Sequence, residues 1–171
     1  MSDSESTHNK RTALPAGFLQ YPVHLFALGF GAGCVPVLPG TAGTLVGVLL
    51  YLPLQQVDRL IYLALVAVLF LAGIWICGAT ARDLKVHDHS AIVWDEIVGY
   101  LVTMALVPSG WMWILPGFIL FRLFDIWKPW PIRLIDRRLG GGLGIMLDDV
   151  LAGMYSLACL ILVIRVIQNP L

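Results

Sequence analysis

The sequence predicts an all-α, polytopic membrane protein with about four to five membrane-embedded helices. Hydrophobic residues make up 58% of the 171-residue chain and charged residues 13%, and the mean hydropathy is +0.83. A chain this apolar is unlike an ordinary soluble domain. Long apolar segments also alternate with short polar connections, which is the pattern of helices that cross or enter a bilayer.

The chain divides into a polar tail, residues 1–14, and a single domain, residues 15–171. The tail lacks the apolar core and cleavage site of a signal peptide, so we expect a disordered cytosolic segment. The formal net charge is zero, which gives no positive surplus for binding nucleic acid. The three cysteines occur singly, so neither a disulfide framework nor a structural zinc site is indicated.

The first half of the domain contains two predicted helices. Residues 34–44 are rich in proline and glycine and predict a loop, and a short apolar helix follows over 44–54. Residues 60–80 have the length that a bilayer-spanning helix requires, about 20 residues. A polar connection over 81–94 separates this helix from the second half.

The second half contains three further predicted helices. The first opens at 95 and runs to 107, and a turn over 108–110 follows it. Residues 111–127 form the next apolar segment, which two prolines terminate. A basic loop over 128–138 and a run of glycines then lead to a last helix of about 20 residues, 150–168.

Charge distribution predicts the orientation of these segments. Basic residues mark the cytoplasmic side of membrane proteins, and here they concentrate in the tail and in the connections 81–94 and 128–138. These regions fall on one side if the membrane-embedded segments lie near 44–57, 60–80, 95–108, 111–127 and 149–168. The acidic residues fall on the same side, so we expect the active site to face the cytosol.

Five carboxylates lie at the edges of the apolar segments: Asp95, Glu96, Asp125, Asp148 and Asp149. A charged side chain at the centre of a membrane helix costs roughly 2.5 to 3.5 kcal/mol, so such residues usually face a wet cavity, a counter-charge or a metal. Their clustering predicts a divalent-cation site. Mg²⁺ is the ion that fits best, because it prefers oxygen ligands and shares its coordination with substrate phosphates.

The two acidic pairs also allow a simpler interpretation. Asp95-Glu96 and Asp148-Asp149 are predicted at helix N-termini, where acidic side chains serve as caps. Asp149 is the better candidate ligand of its pair, because it lies deeper in its helix and four residues before Gly153, where a close helix contact could form. Asp148 is then a cap or a residue that supports a ligand.

Asp125 has cationic neighbours on its own helix. Arg122, Asp125 and Lys128 are three residues apart and therefore share one helix face. This face could present a carboxylate and two cations to a metal-bound phosphate. The alternative is a structural ion pair of Asp125 with Arg122 or Lys128.

Two further segments could contact phosphate. The stretch 39–44, which contains Thr41 and Thr44, could cradle a phosphate with backbone N–H groups ahead of a helix N-terminus. It has no Walker lysine, so nucleotide binding is not implied. His87 and His89 could supply a general acid, a phosphate contact or a metal ligand, or could simply be solvated.

Four groups of motifs are recognisable in the chain: GFGAG (29–33) with LPGTAGT (38–44), VHDH (86–89) with IVWDE (92–96), FRLFDIWKPWPI (121–132), and GGLGIMLDD (141–149). In this order they strongly resemble the bacterial phosphatidylglycerophosphatase A family, over nearly the whole chain beyond the tail. The resemblance implies a magnesium-dependent inner-membrane phosphatase of all-helical fold. Its implied reaction converts phosphatidylglycerophosphate to phosphatidylglycerol and inorganic phosphate.

The resulting hypothesis assigns the carboxylates to Mg²⁺ and the other polar residues to phosphate. The predicted catalytic residues and metal ligands are Asp95, Glu96, Asp125 and Asp149, supported by Asp148, and the predicted phosphate contacts are Thr41, Thr44, His87, His89, Arg122 and Lys128. Either water or a carboxylate could attack the phosphorus. The partners are then the phospholipid substrate and the bilayer, and the oligomeric state stays open.

The alternative function is a small ion- or proton-coupled membrane transporter. Intramembrane carboxylates and glycine-broken helices are also typical of ion pathways. The gathering of the acids on one predicted face argues against a pathway across the membrane.

Overall fold

The computed structural model describes residues 14–86 and 89–168. Within these ranges every regular element is helical, which confirms the predicted all-α class. The main helices are α1 (Pro22–Ala27), α2 (Pro39–Leu54), α3 (Arg59–Leu84), α4 (Trp94–Met104), α5 (Ile114–Trp127), α6 (Ile132–Arg138) and α7 (Gly141–Gln168). The predictions for the tail before Leu14 and for His87 lie outside the described residues.

Helix α4 is the centre of the fold. It packs against α2, α3, α5 and α7, and Ile97, Tyr100 and Leu101 are fully buried. A helix that is apolar on all sides is stable only when other helices surround it. The surrounding helices bury their inner faces on α4 and leave apolar side chains outside, such as Leu71, Leu115 and Leu162.

Within the described residues, two helices are long and apolar enough to cross a membrane. They are α3, with 26 residues, and α7, with 28. At 1.5 Å per residue, α7 is about 42 Å long, which exceeds a hydrocarbon core of about 30 Å. Helices α2, α4 and α5 are shorter, with 16, 11 and 14 residues, so their insertion in the bilayer stays a prediction.

The predicted loop over 34–44 is wrong in its second half, because α2 begins at Pro39. Proline is favoured in the first turn of a helix, where its missing N–H group is not needed. Leu38 precedes it in a left-handed conformation with φ 57°. The glycines that suggested a loop instead allow α2 to pack closely on α4.

The predicted start of the last helix is also wrong. Helix α7 begins at Gly141, about two turns before the predicted position. Gly142 packs so closely on the backbone of α3 at Ile74 that a side chain there would overlap it. Asp148 and Asp149 therefore lie inside α7, and the interpretation of either residue as an N-terminal cap is incorrect. The predicted basic loop also contains a helix, α6.

Helices α4 and α7 cross in close contact at two glycines, as the sequence suggested for Gly153. A Cβ atom on Gly153 would overlap the carbonyl oxygen of Gly99, and one on Gly99 would lie 2.8 Å from the carbonyl oxygen of Asp149. Asp95 lies four residues before Gly99, and Asp149 lies four residues before Gly153. The same crossing therefore brings acidic residues of both helices together at one end.

We expect the variant Gly153→Val to lower the stability of the protein. The added side chain must push α4 and α7 apart, and overpacking of this kind costs about 1–3 kcal/mol. Thermal unfolding in detergent measures the effect. Ala158→Val is the matched control, since Ala158 is exposed on the same helix; equal unfolding temperatures for the two variants would contradict the role of the crossing.

Candidate active site

Three carboxylates from two helices form a compact cluster. Asp95 and Glu96 lie in the first turn of α4, and Asp149 lies two turns inside α7. One oxygen of each side chain lies within 4.8 Å of the others. Asp95 and Asp149 are 8% and 3% exposed. Three carboxylates this close, two of them buried and one partly buried, repel one another strongly unless protons or a cation compensate their charge.

Helix α5 contributes an ion pair at the edge of this cluster. The Arg122 guanidinium donates a hydrogen bond to Asp125, three residues later. Arg122 Nη1 also lies 3.9 Å from Glu96 Oε1. Arg122 thus connects Asp125 to Glu96 of the cluster. Asp125 therefore borders the three clustered carboxylates, and its role as a fourth metal ligand stays a prediction.

Lys128 connects α5 to α6 and α7. It follows the last residue of α5 in a left-handed conformation, and its ammonium group donates hydrogen bonds to Asp148 and, at 3.0 Å, to Asp136. Burial by itself would lower the pKa of Lys128, but the neighbouring Asp148 carboxylate raises this pKa well above its usual range. Lys128 is therefore a permanent cation, and Asp148 binds it.

Some of the predicted site residues line a cavity of about 920 Å³, whereas Asp95 and Asp149 are not among its lining residues. Glu96, Arg122, Asp125 and Lys128 line one side of this active-site cavity, and the segment from Gly33 to Gly40 lines another. Helix α2 begins at this wall, where Pro39 and Gly40 line the cavity, and helix N-termini are common sites for anions.

Gly40 belongs to the stretch predicted to cradle phosphate, but its close approach to Glu96 and Arg122 was missed by sequence reasoning. A Cβ atom at this position would overlap Glu96 Oε1 and would lie 3.0 Å from Arg122 Nη1. Only glycine therefore lets the start of α2 approach this ion pair. The glycine in the PGT motif was a visible signal, but the carboxylate that it meets comes from a distant part of the chain.

The threonines and the histidine occupy different positions. Thr44 is buried, and its hydroxyl donates a hydrogen bond to Gly40 O at 2.8 Å, whereas Thr41 is half-buried in the first turn of α2. Neither is among the residues that line the active-site cavity, but His89 is. His89 Nδ1 accepts a hydrogen bond from the Ala91 N–H at 3.1 Å, so Nε2 carries the proton of the neutral ring.

A family model of phosphatidylglycerophosphatase A matches residues 25–164. The chain belongs to the phosphatidylglycerophosphatase A family. The matched segment contains helices α2 to α6, most of α7 and all five carboxylates of the site. The chain is accordingly an enzyme, a phosphoric monoester hydrolase.

Named relatives agree with this family. A phosphatidylglycerophosphatase A of Haemophilus influenzae is 49% identical over 140 residues, which is 79% of this chain and 84% of the relative. A phosphatidylglycerophosphatase A of Escherichia coli is 45% identical over 136 residues, 79% of each chain. A putative phosphatidylinositol-3-phosphatase of Bacteroides thetaiotaomicron is 39% identical over 140 residues, 77% of this chain and 87% of the relative. No solved structure matches.

Removal of the Lys128 ammonium should destabilise the phosphatase. Lys128→Met removes the cation that binds the Asp148 carboxylate, which is 6% exposed, and breaking a buried ion pair in this way costs about 3–5 kcal/mol. Thermal unfolding in detergent measures this cost. Asp136→Asn is the control: it breaks the more exposed contact of the same lysine, and exposed pairs contribute about 0–1 kcal/mol. Equal destabilisation by both variants would contradict the assignment.

Proposed function

We propose that this chain is a magnesium-dependent phosphatase that hydrolyses phosphatidylglycerophosphate to phosphatidylglycerol and inorganic phosphate. The site lies at the cytoplasmic face of the bacterial inner membrane. The observation that carries the proposal is the cluster of Asp95, Glu96 and Asp149 beside a cavity lined by Arg122 and Lys128. The names of the relatives suggest the lipid, and the geometry provides positions for a cation and a phosphate.

The carboxylate cluster fits Mg²⁺. All of its candidate ligand atoms are carboxylate oxygens, which suit a hard cation. Glu96 Oε2 and Asp149 Oδ2 are buried, and the described residues provide no hydrogen-bond donor to either atom. A buried acceptor without a donor is costly, and coordination would satisfy both. Asp95, Glu96 and Asp149 would hold the ion, with Asp125 beside them.

When bound, Mg²⁺ stabilises the negative charge that develops on the phosphate oxygens during transfer. The cations of the chain bind the substrate phosphate: Arg122 and Lys128 face the active-site cavity from the end of α5. The N-terminus of α2, where Gly40 lines the cavity, supplies a further donor. These phosphate-binding groups belong to α5 and α2, whereas the clustered carboxylates belong to α4 and α7. The phosphate is therefore contacted from several directions.

Asp125 has the geometry of a general base. It lines the active-site cavity, and its hydrogen bond from Arg122 fixes its orientation. Attack by water forms a new bond from oxygen to phosphorus, and Asp125 accepts the proton that this water loses. The bond from phosphorus to the glycerol oxygen breaks, and the leaving oxygen takes a proton, for which Nε2–H of His89, which also lines the cavity, is the donor.

The outer surface of the bundle suits a lipid substrate. The exposed side chains of α3, α5 and α7 are largely apolar, and a soluble monomer rarely exposes apolar patches of that extent. Tryptophans lie at both ends of α5: Trp111 is 86% exposed and Trp127 61% exposed. Tryptophan is enriched at the two membrane interfaces, which supports a position of the site near one of these interfaces.

The transporter alternative is not favoured. The carboxylates of α4, α5 and α7 gather at one end of the bundle instead of following a path across it. The chain also belongs to a family of phosphatases. Phosphate release by purified protein in detergent micelles, where no gradient exists, separates the two functions directly.

Replacement of a clustered carboxylate should abolish turnover. Asp149→Asn keeps the shape of the side chain and removes its charge, and we expect phosphate release to fall at least about a hundredfold. Asp83→Asn is the matched control, because Asp83 is an exposed carboxylate at the end of α3 outside the cavity. Near-normal activity of Asp149→Asn with an unchanged unfolding temperature would refute the proposed site.

Metal removal should reversibly inactivate the enzyme. Dialysis against a chelator is expected to stop phosphate release, and added Mg²⁺ should restore it, because three clustered carboxylates bind the substrate phosphate poorly without a cation. Calorimetric titration with Mg²⁺ measures binding without substrate, and Asp149→Asn should bind at least about tenfold more weakly. Full activity after exhaustive chelation would contradict the metal-dependent mechanism.

A further inference from the structure

A second cavity adjoins the active site where α5 is followed by α6. Its volume is about 490 Å³, and it is lined by Trp127, Lys128, Pro129, Trp130, Arg133 and Leu134. Lys128 also lines the active-site cavity. Lys128 therefore forms part of the wall of both cavities.

The charge of this second cavity is positive. Arg133 lies in the first turn of α6 and is exposed, and none of the described acidic side chains pairs with it. Arg122 and Lys128, in contrast, each contact two carboxylates. Arg133 is thus a cavity-lining cation whose charge no described carboxylate neutralises. A ligand with a charge complementary to Arg133 is an anion.

The aromatic part of the second cavity indicates where this anion comes from. Trp127 and Trp130 are 61% and 80% exposed, and tryptophan side chains at such positions favour the polar boundary of a bilayer. An acyl chain would place hydrocarbon against Arg133 and Lys128, which is unfavourable. An anionic lipid headgroup fits both the tryptophans and the arginine.

We propose that the second cavity binds the bridging phosphodiester of the lipid while the terminal phosphomonoester occupies the active-site cavity. The inference rests on the proposed function, whose substrate carries two phosphates joined by a glycerol. Lys128 lies between the two phosphates, and Arg133 binds the one that is not hydrolysed. The tryptophans pack against the part of the lipid that enters the membrane.

This arrangement makes Arg133 a determinant of substrate selection. A lipid whose only phosphate is the terminal one, such as phosphatidic acid, gains nothing from the second cavity. Phosphatidylglycerol, the product, retains the phosphodiester and should therefore inhibit by occupying the second cavity. Arg133 is not placed at the reacting phosphorus, so its loss should affect KM and not kcat.

The test compares Arg133→Gln with Arg138→Gln in the full chain. Arg138 is an exposed arginine on the same helix and does not line the cavity, so its variant controls for general attraction to an anionic lipid surface. Phosphate release from phosphatidylglycerophosphate is measured in mixed micelles of a neutral detergent, with and without added phosphatidylglycerol. Unfolding temperatures are measured for both variants, and Arg133→Lys is included because it keeps the charge.

For Arg133→Gln we expect KM to rise about tenfold and phosphatidylglycerol inhibition to weaken about tenfold, as the loss of one charge-assisted hydrogen bond predicts. Its kcat should stay within about twofold of the unsubstituted protein. Arg138→Gln should match that protein, and Arg133→Lys should recover most of the affinity.

Equal KM and inhibition constants for Arg133→Gln and Arg138→Gln would overturn the inference and leave the proposed function intact. A fall in kcat with unchanged KM would also overturn it, because Arg133 would then act at the hydrolysed phosphate. If the unsubstituted protein released no phosphate from this lipid in the presence of Mg²⁺, the proposed function itself would fail.

Discussion

The close crossing of α4 and α7 is the constraint on which the site depends. Gly99 and Gly153 let the two backbones meet without intervening side chains, and each glycine lies four residues, about one helical turn, after a carboxylate of the cluster. The distance between Asp95 and Asp149 is therefore set by rigid backbone packing and not by flexible side chains. Mutually repelling carboxylates stay together in such a framework because the packing of the surrounding helices opposes their separation.

Charge compensation extends this framework to the other helices. Arg122 connects α5 to Glu96 of α4, and Lys128 connects the end of α5 to Asp136 of α6 and Asp148 of α7. The same two cations line the active-site cavity. The stability of the fold and the binding of phosphate consequently depend on the same residues. The positions of α5 and α6 around the site therefore depend on the charges of the carboxylates that these cations contact.

The burial pattern explains how a small chain can present such a site to a lipid. The helices around α4 bury their inner apolar faces against it, and their outer faces, which are exposed, are also apolar. The clustered carboxylates and their cations lie at one end, close to the exposed tryptophans at the end of α5 and after it. A lipid headgroup can reach this end from the membrane interface while its acyl chains stay in hydrocarbon, as the proposed function requires.

The sequence by itself determined the helical class, the acidic residues at the ends of apolar segments and the motifs of the family. It did not locate the starts of α2 and α7, because Pro39 and the glycines at Gly141–Gly144 favour a loop by local propensity, whereas in the structure small residues allow close helix packing. The sequence favoured Asp149 over Asp148 as a ligand, but only the tertiary structure identified the partners of each residue. Adjacent helical residues point about 100° apart, so Asp148 contacts Lys128 and Asp149 joins the carboxylates of α4, and that choice depends on how α7 is rotated against its neighbours.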